Sequence, residues 1–479
     1  MHRFDDPPIS LRRIGLLVLV AAALAPAAWR LSRPFAASAE AGEVVLTYMC
    51  WGNPQQLEAE REIIRLFNEK NRREGRKLRV ELFMPPAGGY AQKLRLMLAS
   101  GTAPDIIRVD HYDFPSLVPR GYFRDLTDLA AADPDFNVND FHPAAQRENY
   151  YNGRLYAVNV LFGGVICYYN KDLFRQALLD DPYELWKKGQ WTWDKFEEVA
   201  QALTVRREGR TVQYGVIMPG TAGGGVANWT WFIWVWGEGG EILSEDRRTS
   251  LLDSPANIRA FQRYRDLRFR LRVAPTPADA AAAAFNLESG NVAMTFEWAG
   301  MAPRYRAIAD FEWDIAPTPH SPDRPYALVK GNQLVMTATC RHPKEAWEWM
   351  KFMVSPEVEL LLHGDRLRRN VPTRNALLGI GPDAPADIRQ TYLYAEKPFF
   401  HTDVIPFVLN HARHLPIDPA WPVWTTEAQK YIDMLFVNEN ASAADILPRA
   451  KVAVDRVLER EHRRLERYLS TSAEVGHGD

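Results

Sequence analysis

The stretch Asn152–Phe174, NGRLYAVNVLFGGVICYYNKDLF, decides the fold prediction for this chain. Leu155 to Tyr169 is rich in Val, Ile, Leu, Tyr and Phe, which indicates a mostly buried strand. Gly163-Gly164 interrupts it, where a strand bends or lets another backbone or a ligand come close. Asn170 then offers a cap to a helix that begins at Lys171. Two readings stay open on this stretch alone: a crossing between two lobes, or the central strand of a single α/β domain.

The segments before this stretch alternate between strand and helix patterns. The predicted order is strand, helix, strand, helix, strand, with the strands at Glu43–Cys50, Leu78–Met84 and Asp105–Val109 and an apolar helix stripe of Leu57, Ile63, Ile64 and Phe67. This order predicts an open, largely parallel sheet that binds ligands at the carboxyl ends of its strands. Trp51, Tyr90 and Asp110 fall on that side.

The segments after it continue the α/β pattern. Thr192 is the predicted cap of one helix, and further helices are expected over 255–272 and Pro343–Val354. Strands are expected at Tyr214–Met218, Val292–Phe296, Asp314–Ala316 and, as a return, Leu334–Thr339. Val226–Trp236 contains Trp229, Trp231, Trp234 and Trp236, and their alternate spacing predicts one buried and one open face for each pair.

Size and charge place the chain among soluble globular proteins. It has 479 residues, of which 47% are hydrophobic and 25% are charged, so two or three domains are expected. The net charge is −2 without a long run of one sign, which argues against a nucleic-acid partner and against a polybasic membrane patch.

Residues 1–39 have the pattern of an export segment. Arg12-Arg13 precede the uncharged Ile14–Ala28, which is short for a membrane-spanning helix but suits the apolar region of a signal peptide. Ala37-Ser38-Ala39 offers a cleavage site at an unusually long distance, so an uncleaved N-terminal membrane anchor remains an alternative. Either way, the folded part is expected outside the inner membrane, in a periplasmic or extracytoplasmic location.

No cofactor, metal site or catalytic motif is predicted. Cys50, Cys167 and Cys340 lie in apolar runs without a CxxC partner, so we expect buried thiols. His411 and His414 have helical metal spacing but lack a third ligand. There is no GxSxG, P-loop or HExxH motif, so the chain is not expected to be an enzyme. A glycosidase that uses Asp110 and Glu297 remains the catalytic alternative.

Several segments together resemble the family 1 extracellular solute-binding proteins of ABC importers, the class that includes maltose- and oligosaccharide-binding proteins. Their order and spacing carry the resemblance over roughly residues 43–375. The segments are Gly101–Ile107, Asn152–Ala157, Tyr169–Phe174, Trp191–Asp194, Phe285–Met294, Ile315–Pro319, Asn332, Pro343–Val354 and Asn370–Arg374.

The resemblance implies a bilobed fold of the periplasmic-binding-protein type II class, with two α/β lobes and a cleft between them. One lobe would comprise 43–157 and 332–375, and the other 163–326 and 376–479. The hinge would lie near 157–162 and 327–331, with a third crossing at about 375–385. Closure around a ligand would present the protein, expected to be a monomer, to the importer's permease.

A carbohydrate is the expected ligand, because aromatic faces cover sugar rings while carboxylates, amides and Arg satisfy hydroxyl groups. The candidate ligand-binding residues are Trp51, Tyr90, Asp110, Trp229, Trp231, Glu297, Trp298, Gly331, Asn332 and Arg374. Structural alternatives stay open for these residues: a core position for each tryptophan, ion pairs for Asp110 and Glu297, and a helix end for Arg374. Another cargo on the same fold, such as a polyamine or a glycerol phosphodiester, remains the alternative. Arg108, unusual within its strand, and Arg374 leave room for a phosphate or carboxylate cargo.

Overall fold

A mixed β-sheet organises the computed structural model, which describes residues 42–52, 54–84, 89–218, 230–276, 278–279, 285–363, 371–382, 384–387 and 401–475. The described strands are β1 (Val44–Met49), β2 (Leu78–Phe83), β3 (Ile106–Asp110), β4 (Tyr150–Tyr151), β5 (Arg154–Leu155), β6 (Ala157–Asn170), β7 (Val205–Arg207), β8 (Arg210–Ile217), β9 (Val292–Trp298), β10 (Trp313–Ala316), β11 (Ala327–Met336) and β12 (Ala412–His414). The sheet order is β2-β1-β3-β11-β6-β9-β8-β7, with β10 paired to β6 and β12 paired to β11. Strands β4 and β5 form a separate hairpin.

Helices cover the sheet. The described α-helices are α1 (Pro54–Arg73), α2 (Tyr90–Ala99), α3 (Phe114–Leu117), α4 (Thr127–Ala131), α5 (Pro143–Gln146), α6 (Lys171–Gln176), α7 (Pro182–Lys187), α8 (Trp193–Ala202), α9 (Phe232–Gly237), α10 (Pro255–Phe269), α11 (Ala302–Tyr305), α12 (Pro343–Met353), α13 (Pro356–His363), α14 (Val404–Asn410), α15 (Trp421–Val437) and α16 (Ala443–Val475). The side chains of Asn170 and Thr192 cap α6 and α8 as the sequence predicts. Among the described residues, no helix combines the length and apolar character needed to cross a bilayer.

Strand β6 connects the two halves of the sheet. Its residues Ala157–Gly164 pair with β11, whereas Val165–Tyr169 pair with β9. Strand β11 likewise pairs with β3 over Asn332–Met336 and with β12 over Ala327–Val329. Both strands therefore change their pairing partners near the pair Gly164 and Val329. We call this place the crossing point.

Close packing at the crossing point explains one of its glycines. A Cβ on Gly164 would lie 2.4 Å from Val408 Cγ1 of α14 and 3.1 Å from the carbonyl oxygen of Leu328. Only a residue without a side chain lets the helix and β11 approach β6 this closely, as the sequence predicts. The pairing register between β6 and β11 also shifts between Asn332 and Gln333, which marks a β-bulge beside the crossing point.

The hydrophobic core is divided at the crossing point. One buried cluster includes Leu46, Val158 and Leu334 on the β1–β3 side. Another includes Val165 and Phe296 on the β9–β8 side. We call the corresponding halves of the molecule the first and second lobes.

The expected alternation is wrong for the pair Trp234 and Trp236. Residues 232–237 form helix α9, and Trp231, Trp234 and Trp236 are 1%, 2% and 5% exposed. Neighbouring elements surround this short helix: the ring centroids of Trp234 and Trp193 lie 3.9 Å apart, and those of Trp231 and Phe261 lie 5.2 Å apart. The described residues Trp231–Trp236 belong to the core of the second lobe.

Other expectations needed smaller corrections. Strands β1, β2 and β3 are parallel, but β11 runs antiparallel to β3, so the complete sheet is mixed. The return strand begins at Ala327 rather than Leu334, because Lys330 and Asn332 interrupt the apolar pattern within it. Helix α10 ends at Phe269 rather than residue 272, where Arg272 has a left-handed φ of 55°.

Candidate functional site

Four residues meet at the crossing point, and we call them the crossing cluster: Asp110, Trp298, Lys330 and Asn332. Asp110 ends β3 and pairs in register with Asn332 of β11. The Nζ atom of Lys330 lies 3.8 Å from Oδ2 of Asp110 and 4.8 Å from the ring centroid of Trp298 at the end of β9. Because these strands belong to both lobes, the cluster lies between the lobes.

The Asp110 carboxylate is ionised at neutral pH. Burial by itself raises its pKa, but the charge of Lys330 and a 2.5 Å hydrogen bond from Nδ1 of His111 together lower the pKa to about 2. Asp110 also raises the pKa of the Tyr112 hydroxyl, which lies nearby. Tyr112 and Trp298 both pack against the core of the second lobe. The site therefore offers a fixed acceptor beside aromatic surface.

Trp51 and Tyr90 form an aromatic corner on Arg108, next to the crossing cluster. The ring centroids of Trp51 and Tyr90 lie 4.9 Å apart, and the Arg108 guanidinium lies 4.6 Å from the Trp51 ring. The Tyr90 hydroxyl donates a 2.8 Å hydrogen bond to the carbonyl oxygen of Arg108. Arg108 precedes Asp110 by two residues, or about 7 Å of strand. The predicted grouping of Trp51, Tyr90 and Asp110 at one sheet edge thus has a geometric basis.

Arg108 has a structural partner. Its guanidinium forms a 2.5 Å ion pair with Glu60 of α1, and each side chain is only 1% exposed. Glu60 also accepts a hydrogen bond from the Tyr48 hydroxyl. Since the guanidinium is neutralised inside the first lobe, the unusual arginine in β3 is explained by packing rather than by an anionic ligand.

Glu148 forms hydrogen bonds with strands β11 and β12 through its side chain. Its carboxylate accepts hydrogen bonds from the Gly331 backbone N–H (2.9 Å) and the Gln333 side chain (3.4 Å) of β11. It also accepts one from Nδ1 of His414 (2.8 Å) in β12. Burial raises the pKa of Glu148, but its contact with His414 lowers the pKa below the usual value. One carboxylate therefore links β11, β12 and the turn that precedes β4.

Glu297 and Trp298 point to opposite faces because neighbouring strand side chains alternate. Trp298 contacts Lys330, whereas Glu297 is hydrogen-bonded by Tyr305 and lies near Arg304. Burial raises the pKa of Glu297. The structure therefore does not bring Glu297 into the crossing cluster with Asp110.

The remaining candidate residues are placed elsewhere. Trp231 is buried against Phe232, with ring centroids 4.1 Å apart. The Arg374 side chain donates to the carbonyl oxygen of Val354 (2.6 Å) at the end of α12, lies 4.5 Å from the Phe141 ring and pairs with Asp140. Both match the structural alternatives raised from the sequence. Trp229 and residues 1–39 lie outside the described residues.

Gly331 is buried and committed to the packing of the crossing strands. Besides its N–H bond to Glu148, a Cβ at this position would lie 2.2 Å from Oδ1 of Asn159. Asn332 keeps a half-buried side chain whose amide donates to the carbonyl oxygen of Gly331. Gly331 therefore shapes the site through its backbone, while Asn332 lies beside Asp110.

Sequence reasoning missed Lys330, Tyr112, Glu148 and His414. Lys330 lay within the predicted crossing 327–331 and breaks its apolar run, which was the available signal. The contact between Glu148 and His414 joins residues far apart in the chain and has no local pattern. The metal alternative assumed that His411 and His414 lie on one helix, but His411 precedes strand β12 and His414 ends it. The described residues contain no group of three suitable metal ligands. The three cysteines are buried thiols, as predicted.

Comparisons with known proteins identify the family. The family model described as "Bacterial extracellular solute-binding protein" matches residues 54–359, well over half of the chain. An ABC substrate-binding protein from Listeria monocytogenes, solved in complex with cycloalternan, shares the fold with a TM-score of 0.73 and 21% identity over 87% of this chain and 99% of its own. UgpB from Mycobacterium tuberculosis, in complex with glycerophosphocholine, gives a TM-score of 0.70 and 22% identity over 88% of this chain and 100% of its own.

A curated relative is similar over a shorter stretch. The mannitol-binding protein of Pseudomonas aeruginosa is 31% identical over 121 residues, which is 25% of this chain and 25% of that protein. The chain thus matches about a quarter of this relative's length. The solved structures confirm the bilobed type II fold class expected from the sequence. From the family match and the fold together, the chain belongs to the bacterial extracellular solute-binding proteins.

Proposed function

We propose that the protein captures a carbohydrate at the crossing cluster and delivers it intact to an ABC importer. The observation that carries the proposal is the contact of Lys330 with both Asp110 and Trp298, residues that come from different lobes. A ligand bound at this place touches both halves of the molecule, so its binding favours the closed arrangement.

The chemistry of the cluster suits a neutral polyol. An indole stacks on the C–H face of a sugar ring, while an ionised carboxylate accepts hydrogen bonds from hydroxyl groups. Lys330 and the Asn332 amide supply donors on the same side of the sheet. Because Asp110 already balances the charge of Lys330, the described cluster carries no net charge to attract an anion.

The names of similar proteins favour the same class of ligand. One solved relative holds cycloalternan, and a curated relative is a mannitol-binding protein. The second candidate is a glycerol phosphodiester, which the complex of UgpB with glycerophosphocholine brings forward. Lys330 would then face the phosphate, but its partner Asp110 and the commitment of Arg108 to Glu60 favour the sugar.

The wider role follows from the family. We assign residues 43–157 and 332–375 to the first lobe, and 163–326 and 376–479 to the second, with hinges near 157–162 and 327–331. Residues 1–39 would export the chain as a signal peptide or hold it at the inner membrane as an anchor. The protein would act as a periplasmic monomer, pass its ligand to the permease and perform no catalysis.

A ligand screen tests the proposal. The mature protein is titrated with mono-, di- and oligosaccharides and with glycerophosphocholine, and melting temperature and tryptophan fluorescence are recorded. A ligand at 100 times its dissociation constant stabilises the folded protein by about 2.7 kcal/mol, which gives a clear melting shift. We expect the shift with a sugar and recovery of that sugar unchanged by mass spectrometry. A shift with glycerophosphocholine alone, or hydrolysis of the sugar, would contradict the proposal.

Substitution of Trp298 locates the site. Trp298→Ala is expected to abolish the ligand-induced shift, whereas Trp298→Phe, which keeps an aromatic face, retains part of it. Calorimetric titration at a temperature well below both melting points separates lost binding from lost stability. Full binding by a folded Trp298→Ala protein would move the site away from the crossing cluster.

A further inference from the structure

The second lobe contains a cavity that is lined largely by ring side chains, which we call the ring pocket. Its volume is about 250 Å³, and its lining includes Trp186, Trp191, His320, Pro325, Phe407 and His411. These residues come from α7 and the loop after it, the segment before β11, and α14 with the residue that follows it.

The ring pocket is separate from the crossing cluster. Pro325 lies five residues before Lys330, and the extended strand from Ala327 to Lys330 spans about 10 Å. The residues that line the pocket come from segments of the second lobe other than β3 and β11, whereas Asp110 and Asn332 pair with each other in β3 and β11.

The aromatic walls hold one another in place. The ring centroid of Phe407 lies 4.9 Å from Trp186, 5.2 Å from His320 and 4.3 Å from His411. The indole N–H of Trp191, which is 2% exposed, donates a 2.9 Å hydrogen bond to the carbonyl oxygen of Pro317. Trp186, Phe407 and His411 are only partly buried, so their surfaces are accessible from solvent.

Two imidazoles supply hydrogen-bond acceptors inside this apolar surround. Nδ1 of His320 lies 2.8 Å from the carbonyl oxygen of Thr318, and Nδ1 of His411 lies 2.8 Å from that of Phe407. Because a carbonyl oxygen can only accept, each Nδ1 carries the proton when the ring is neutral, and each Nε2 keeps its lone pair. Neither Nε2 has a partner among the residues that the structure describes.

His320 gives the stronger indication of a ligand, because it is the more deeply buried of the two histidines. It is only 6% exposed and it lines the ring pocket, so its Nε2 acceptor is available to a donor inside the pocket. Burial lowers the pKa of His320, the hydrogen bond to the Thr318 backbone opposes this, and the neighbouring His411 lowers the pKa further, which favours the neutral ring. A ligand that brings hydroxyl donors between ring-shaped walls would satisfy this arrangement.

We propose that the ring pocket is a second carbohydrate site, which takes a single sugar ring in addition to the ligand at the crossing cluster. The rings of Trp186 and Phe407 are inclined at 67° to each other, so the C–H face of the sugar lies on Trp186 alone, and its hydroxyl groups donate to Nε2 of His320 and His411. The cavity is smaller than the 300–1,000 Å³ usual for drug-sized ligands, so one ring fits rather than an oligosaccharide. This inference rests on the proposed function in so far as sugars are the solutes that the protein meets.

The first test uses the unaltered protein, so it does not depend on the folding of a variant. Long-range ¹H–¹⁵N NMR reports the protonation and hydrogen bonding of histidine ring nitrogens. Titration with monosaccharides is expected to shift the Nε2 resonances of His320 and His411, with their Nδ1 resonances nearly unchanged. Zn²⁺ is titrated in parallel, because paired imidazoles also bind metals. A response to Zn²⁺ alone, or to neither probe, would overturn the proposal.

The second test separates the two sites. Sugar binding is followed by saturation-transfer NMR in Trp298→Ala, in Trp186→Ala and in His411→Gln, with Trp186→Phe as the matched control. Binding at the ring pocket is expected to persist in Trp298→Ala, to weaken at least tenfold in Trp186→Ala and His411→Gln, and to survive in Trp186→Phe. Loss of all binding in folded Trp298→Ala would refute the ring pocket. If sugar binding is unchanged in Trp298→Ala but abolished in Trp186→Ala, the result supports the ring pocket and refutes the proposed function.

Discussion

The Lys330 ammonium lies 3.8 Å from the Asp110 carboxylate, so a charge from a crossing strand meets a charge at the end of a strand of the first lobe. The backbone of β3 and β11 holds the pair in place, because Asp110 is in register with Asn332. The proposed ligand site and the proposed hinge therefore depend on the same residues.

Removal of Lys330 should change the acid stability of the protein. The folded state holds the pKa of Asp110 at about 2, below its ordinary value of 3.8, so Asp110 stabilises the fold above pH 3.8 and loses that contribution as the pH falls toward 2. The contribution is about 2 kcal/mol. Lys330→Met should raise the pKa of Asp110 and move the acid unfolding midpoint upward. Melting curves from pH 2 to 7 measure this shift.

Arg108→Leu should destabilise the protein by about 3–5 kcal/mol, because it leaves the Glu60 carboxylate buried without its cation. The double variant Arg108→Leu/Glu60→Leu should recover most of this loss, since it removes both charges. Urea unfolding of the two variants and the unaltered protein gives the comparison. A double variant as unstable as the single one would show that the ion pair itself, rather than an isolated charge, governs stability here.

Glu359 should make the protein less stable as the pH rises from 4.5 to 7. Burial raises its folded-state pKa to about 7 from 4.5, although hydrogen bonds from Thr373 and the charge of Arg374 oppose the rise. The folded state therefore binds the proton more tightly, and stability falls by about 3 kcal/mol across this range. Glu359→Gln should flatten the pH dependence measured by chemical unfolding. If the pH dependence of stability is the same in Glu359→Gln as in the unaltered protein, other titratable groups cause it.

Glu148→Ala should loosen the crossing strands, because the Gly331 N–H and the His414 side chain lose their acceptor. A hydrogen bond to a charged group contributes about 1.5–3 kcal/mol, and we expect a loss of that size. Hydrogen exchange of the Gly331 amide should accelerate in Glu148→Ala. In the matched variant Glu148→Gln, which keeps an acceptor oxygen, exchange should stay close to the unaltered rate. Equal exchange in all three proteins would show that Glu148 does not hold the crossing strands together.

Local signals in the sequence predicted much of the fold. The strand at Ala157–Asn170 was recognised from its β-branched and aromatic residues, and Asn170 and Thr192 from their capping chemistry. The apolar stripe of α1 was also correct, since Leu57, Ile63, Ile64 and Phe67 are all buried. Each of these features depends on residues that are neighbours in the chain.

Non-local packing decided the features that were missed. Trp231 looked like a ligand platform because local spacing does not show that Phe261 packs against its ring. Lys330 gained its role only when β11 placed it beside both Asp110 and Trp298. The ring pocket likewise joins His320 to His411, which lie 91 residues apart by their numbers.

By itself, the sequence determined the α/β class, the long strand through the crossing point, the helix caps and the resemblance to solute-binding proteins, because periodicity and capping act over a few residues. Only the tertiary structure decided which aromatic rings are sealed in a core, which carboxylates face the cleft and which charges neutralise each other. Those outcomes depend on burial and on distances of a few ångströms between residues that are remote in the chain. Such distances are fixed when the strands of both lobes pair around β6 and β11.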